Sequence, residues 1–160
     1  MQGAPEHIPA VPADSLPLPA ALLWHRPGDG PAHFDLLLAV RPPAGDDDAC
    51  AATWRVEIDP GAADRATSAP ADFRRADANL RAERIHDHRG LYLRLDAPRA
   101  LDRGRGDVFP VARGTWTTAP GGGATVTWTD GARGTVRFVR RAGGGLDLLH
   151  AAAAEPGDPR

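Results

Sequence analysis

The chain has 160 residues, a formal net charge of −2 and a 42% hydrophobic share that leans on Ala. That length suits one domain, which buries about 65–70% of its unfolded surface, and the charge balance alone does not call for nucleic acid. All 19 basic residues are Arg, each a planar fork suited to phosphate, and the single cysteine, Cys50, leaves no partner for an intrachain disulfide.

Residues 1–19 carry Pro5, Pro9, Pro12, Pro17 and Pro19 with few large apolar groups, the composition of a disordered Pro-rich tail. Leu16 to Trp24 is apolar, but Pro17 and Pro19 interrupt it and it is too short to span a bilayer. No basic start followed by an apolar run opens the chain, so a soluble, cytoplasmic protein with no membrane partner is expected. Short β-rich segments separated by Gly or Pro then predict strands over 20–26, 33–40, 51–58, 83–87, 91–95, 107–111, 114–118, 124–129, 134–140 and 145–150. Asp130-Gly131 marks a hairpin between two alternating runs, and the Gly-rich pieces at 104–106, 121–123 and 143–145 read as turns. Asp72 to Leu80 has the pattern of a short helix, and residues 151–160 that of a flexible tail. The expectation is an all-β fold, a small antiparallel β-barrel over 20–150 with short helical or irregular insertions. Trp54, Trp116 and Trp128 read as its core, and Asp46-Asp47-Asp48 as a solvated hairpin tip.

Two motifs carry candidate chemistry. In a strand starting at His33, residues i and i+2 share a face, so His33 and Asp35 point the same way and Phe34, Leu36 and Leu38 point into the other layer. His25 lies just before the loop 26–31 and can fold back beside them. Two imidazoles and a carboxylate suit a mononuclear metal site, and a satisfied structural His pair is the plainer reading. Further along, His88-Arg89-Gly90-Leu91-Tyr92 holds the only tyrosine and a second pair of groups able to act on an oxyanion. His86 reads as a surface neighbour of His88, and His7 and His150 as incidental. The Arg74-Arg75 and Arg140-Arg141 pairs read as surface charge within reach of a nucleic-acid backbone.

The order of these motifs resembles the 3′-phosphoesterase domain of bacterial DNA ligase D and its small stand-alone relatives. The resemblance rests on Trp24-His25, a loop and His33-Phe34-Asp35, then Trp54, Asp87-His88-Arg89-Gly90-Leu91-Tyr92, Gly114-Thr115-Trp116 and the last strands, covering roughly residues 20–150. It implies a compact β-barrel and a divalent metal, manganese in the first place and zinc in the second, held by His25, His33 and Asp35. It also implies hydrolysis at 3′ ends of DNA or of DNA ending in ribonucleotides, with His88 and Tyr92 on the phosphate. Its partners would be those ends and a DNA ligase or other end-joining proteins. The chain departs from the family where an Arg usually follows the Asp by two residues, because Leu37 stands there. Leu23 replaces a usual Gln, and the loop from His25 to His33 is about two residues longer than usual. Without that Arg the expected turnover is weak or absent, and Arg94, on the same face of the expected 91–95 strand as Tyr92, is the nearest substitute, with Arg55 and Arg105 as others. The alternative is a non-catalytic β-barrel module that binds a phosphorylated end or a partner protein.

Overall fold

The computed structural model describes residues 5–6, 8–57 and 73–153. Its strands are β1 (Pro5–Glu6), β2 (Leu18–Arg26), β3 (His33–Ala39), β4 (Ala51–Glu57), β5 (Ala78–His88), β6 (Arg99–Ala100), β7 (Asp107–Thr118), β8 (Ala124–Trp128), β9 (Arg133–Arg140) and β10 (Leu146–Ala152). Eight of them close an antiparallel barrel in the order β2-β3-β4-β5-β10-β9-β8-β7 and back to β2, as the all-β expectation required. β1 and β6 add short edges on β9 and β7.

The alternating apolar positions fill the barrel. Trp54 of β4 stacks on Phe138 of β9 across the interior, with ring centroids 4.4 Å apart. Leu22, Leu36, Trp116, Val126, Trp128, Val136 and Leu148 complete that core. The three Trp expected inside are all buried, and the Trp116 indole N–H donates to the Ala39 carbonyl at 2.9 Å. The turns fall where glycine was expected: Gly104, Gly106, Gly121, Gly131 and Gly144 adopt positive φ.

Several expectations change. Residues 91–95 do not form a strand; Gly90–Leu93 is a 3-10 turn. Its amides point at a loop instead of a ladder, with Gly90 N–H on the Asp48 carbonyl at 2.7 Å and Leu91 N–H on the Asp46 carbonyl at 3.1 Å. The helix expected over 72–80 is a 3-10 turn at Phe73–Arg75 followed by β5, because Ala78 to Ala82 pair with β10; Asp72 itself lies outside the described residues. The expected strands at 107–111 and 114–118 form one strand, β7, with a bulge: Leu22 faces Ala112 while Leu23 faces Pro110, so Val111 is extra. A bulge suits Pro110, which has no N–H to donate to a ladder.

The expected tail at 1–19 is partly packed, since Ile8 and Leu18 are buried in the core. Residues 1–4 and 7 of it, like residues 154–160 of the expected C-terminal tail, lie outside the described residues, and β10 runs on to Ala152. Arg74 is no surface charge: it is 4% exposed, forks onto the Asp130 carboxylate at 2.9 and 3.1 Å and lies over the Trp128 ring. His150 is buried against Phe73 and shares a hydrogen bond with the Ala76 carbonyl at 2.8 Å. No described helix is long and apolar enough to cross a membrane.

Candidate metal centre

Strand pairing assembles the centre. His25 faces His33 across β2 and β3, with ring centroids 4.8 Å apart at 72°. Asp35 follows His33 by two residues, so all three share one face of the sheet. That face lies on the opposite side from the Leu22–Leu36–Trp54 core, and β3 is nevertheless buried along its whole length.

His88 joins them through a second bulge. Ala51 faces His88 and Thr53 faces Ile85, so two steps on β4 match three on β5. Thr53 and Ala51 lie on the Asp35 face, through their pairing with Leu37 and Ala39. The extra residue therefore turns His88 onto that face; an unbroken ladder would have put Asp87 there, a second carboxylate aimed at Asp35.

The result is three imidazoles around one carboxylate. His33 Nε2 lies 3.3 Å from Asp35 Oδ1, His25 Nδ1 3.7 Å from Oδ2 and His88 Nε2 3.8 Å from Oδ2. Asp35 is 2% exposed and His33 4%. His25 and His88 are partly open to solvent.

Each imidazole turns its other nitrogen to a main-chain carbonyl. His25 Nε2 is 3.1 Å from the Arg105 oxygen, His33 Nδ1 3.3 Å from Pro31 and His88 Nδ1 3.2 Å from His86. A carbonyl only accepts, so each of these ring nitrogens is the N–H donor. In a neutral imidazole the remaining nitrogen is a lone pair, and in all three rings that nitrogen faces Asp35. This is how ligating histidines are oriented: the outer N–H is anchored and the inner nitrogen is left free.

Two orphaned atoms complete the fit. His33 Nε2 and Asp35 Oδ1 are buried and have no hydrogen-bond partner. Buried polar atoms seldom go without one. Ligand atoms of His25, His33 and Asp35 lie within 4.8 Å of one another, and no second such group of three occurs among the described residues. Neighbouring donors around an ion with bonds of roughly 2.1 Å stand about 3–3.5 Å apart, so the 3.3 Å pair already matches. The residues therefore fit a divalent ion, and mixed imidazole and carboxylate donors suit manganese or zinc.

The Arg105 carbonyl reaches His25 because two glycine loops interlock. A Cβ on Gly106 would sit 1.9 Å from the Arg26 carbonyl oxygen, and one on Gly28 1.9 Å from that of Gly104. Only bare backbone allows the 104–106 turn to press onto the end of β2. The signal was present in the sequence as Gly-rich loops, but not their mutual contact.

Tyr92 sits beside His88, edge-on at 5.5 Å between centroids, and is buried. The Arg89 guanidinium lies 5.7 Å from the Tyr92 ring centroid and hydrogen-bonds Asp47 at 3.2 Å. The Tyr92 hydroxyl, followed by Asp47, holds the Arg89 pKa above its ordinary value. Burial lowers the His88 pKa, against the opposing pull of Asp35. His88 thus keeps its inner nitrogen unprotonated near neutral pH. His86 is exposed and stacks on His88 with ring centroids 5.1 Å apart.

Arg94 does not share a strand face with Tyr92, because there is no strand there. It follows the 3-10 turn, its guanidinium is paired with Asp46, and its carbonyl accepts from Arg113. The acidic run lies in the β3–β4 connection, with Asp46 and Asp47 largely exposed as expected, but each of its carboxylates is paired. Asp48 accepts from Arg41 at 2.6 Å and from the Ala44 N–H at 3.1 Å, Asp47 binds Arg89 and Asp46 binds Arg94. The run ties the 41–50 loop to the turn that carries Tyr92. Leu37, on the Asp35 face, is 0% exposed.

Comparisons with protein-family models, with curated proteins and with solved structures find no match to this chain, so the centre stands on its own geometry.

Proposed function

We propose that the protein is a metal-dependent phosphoesterase-like enzyme acting on 3′ ends of DNA, or of DNA ending in ribonucleotides, in DNA end repair. The observation that carries the metal chemistry is the convergence of His25, His33 and His88 on Asp35, with every outer ring N–H anchored to a carbonyl. The DNA end rests on the order of motifs shared with the ligase D phosphoesterase domain. A divalent ion held by His25, His33 and Asp35 supplies Lewis-acid polarisation of a phosphoryl oxygen.

The chain's own groups do the rest. Asp35, the one carboxylate among the three imidazoles, would balance the charge of the ion. His88, unprotonated at Nε2 and braced by His86 and Tyr92, accepts a proton on the open side of the centre. Leu37 puts no cation where the resemblance expects one, which favours slow turnover and keeps the binding-module reading in view.

The test is release of a 3′-phosphate from a DNA primer with Mn²⁺, by wild type and His33→Ala. Metal-dependent release by wild type, lost in His33→Ala, is the expected result. No release by a wild type that binds both Mn²⁺ and the phosphorylated end would replace the enzyme with a binding module. No Mn²⁺ binding would remove the metal chemistry altogether.

A further inference from the structure

We propose that Arg55 is the anion-holding arm of this centre: its guanidinium fastens an oxyanion, phosphate as the simplest case, beside the ion. The inference rests on the metal reading above and adds a residue and a ligand class to it.

Arg55 of β4 is the direct cross-strand partner of Asp35. Directly opposed residues share a face, with Cβ atoms about 4.5–5.5 Å apart. A guanidinium on a long flexible stem therefore starts immediately beside the metal-binding carboxylate. Arg55 is exposed, and among the described residues it makes no hydrogen bond or ion pair. That is unusual here, because its own row offers anions. Asp35 lies on one side of Arg55, Glu83 on the other, and Glu57 two residues along the same face, and none of the three is bonded to it.

The other cations near the site are committed elsewhere. Arg94 is held by Asp46 and Arg89 by Asp47 and Tyr92. Arg105 hydrogen-bonds the Asp102 carbonyl at 3.0 Å. Arg26 stands 4.0 Å from Asp107 and over the Phe109 ring. Arg55 is the cation at the centre with both the position and the free donors. An anion held by a guanidinium beside that cluster gains charge-assisted, bidentate hydrogen bonds, which lysine cannot reproduce. Glu57, opposite His33, disfavours a second negative group on that side and so directs the anion toward Arg55.

The experiment titrates inorganic phosphate at sub-millimolar concentration into Mn²⁺-loaded protein, read by water-proton relaxation of the bound Mn²⁺. The proteins are wild type, Arg55→Gln, Arg55→Lys and Arg94→Gln. Expected is unchanged Mn²⁺ affinity in all four, with phosphate affinity lowered about tenfold or more in Arg55→Gln. Arg55→Lys should fall between, and Arg94→Gln should match wild type. Equal phosphate affinity in wild type and Arg55→Gln, with Mn²⁺ bound, overturns the role of Arg55 and leaves the metal site standing. Mn²⁺ binding without any phosphate binding by wild type overturns it too. Absence of Mn²⁺ binding by wild type overturns the metal reading itself, and this inference with it.

Discussion

Replacing Asp35 by Asn separates a metal centre from a structural polar cluster, because the two readings give opposite signs. The carboxylate is 2% exposed, and its Oδ1 has no hydrogen-bond partner. Leaving a buried acceptor unsatisfied costs about 1–3 kcal/mol, and more when it is charged. With each outer ring nitrogen donating to a main-chain carbonyl, the second nitrogen of a neutral imidazole is a lone pair and donates nothing to it. Asn keeps the shape, removes the charge and offers an N–H to His33 Nε2, 3.3 Å away. In chelator the variant should therefore be more stable than wild type by roughly 1–2 kcal/mol, a rise in Tm of about 2–8 °C for a chain of this size. Metal reverses the order. At Mn²⁺ one hundred times the Kd, wild type gains about 2.7 kcal/mol, or roughly 5–11 °C, and the variant gains almost none. Differential scanning calorimetry at pH 8, with EDTA and with Mn²⁺, reads both curves. A variant less stable than wild type in EDTA, with the same rise in Mn²⁺, would refute the reasoning. It would mean that Asp35 already has its partner within the protein.

Three further outcomes are expected. Gly106→Ala places a methyl 1.9 Å from the Arg26 carbonyl at φ +88°, which must push the Arg105 carbonyl away from His25. Calorimetric Mn²⁺ affinity should fall about 10–100-fold, the usual cost of losing an outer partner of a ligating His. Asp130→Asn removes the acceptor that Arg74 forks onto. Arg74 is the main cause holding the Asp130 pKa at about 2, below its ordinary 3.8. The pair's contribution is present above pH 3.8 and fades as pH falls through 2, so the stability deficit of the variant should be full at pH 7 and vanish below pH 2 in pH-dependent melting. Leu37→Arg inserts a charge at a position that is 0% exposed, so a loss of roughly 3 kcal/mol or more in denaturant unfolding is expected, not a gain in phosphatase rate.

The two-residue period of a strand was enough to put His33 and Asp35 on one face, and alternating apolar residues with Gly turns were enough to indicate a barrel. These are local properties, written into neighbouring residues. The choice of His88 over Asp87 was not local, since it depends on a bulge that only the pairing of β4 with β5 reveals. Residues 91–95 alternate like a strand, yet the Gly90 and Leu91 amides bond to the Asp48 and Asp46 carbonyls of a distant loop and those of Tyr92 and Arg94 close the turn, a competition that no window of sequence displays. The same holds for the cations. Arg94, Arg55 and Arg105 look alike in the sequence, and the tertiary structure sorts them by what each already touches: Asp46, nothing among the described residues, and the Asp102 carbonyl. Which groups end up unsatisfied is a property of the whole packed chain, and at this site the orphaned His33 Nε2, the orphaned Asp35 Oδ1 and an Arg55 unpaired among the described residues become visible only in the tertiary structure.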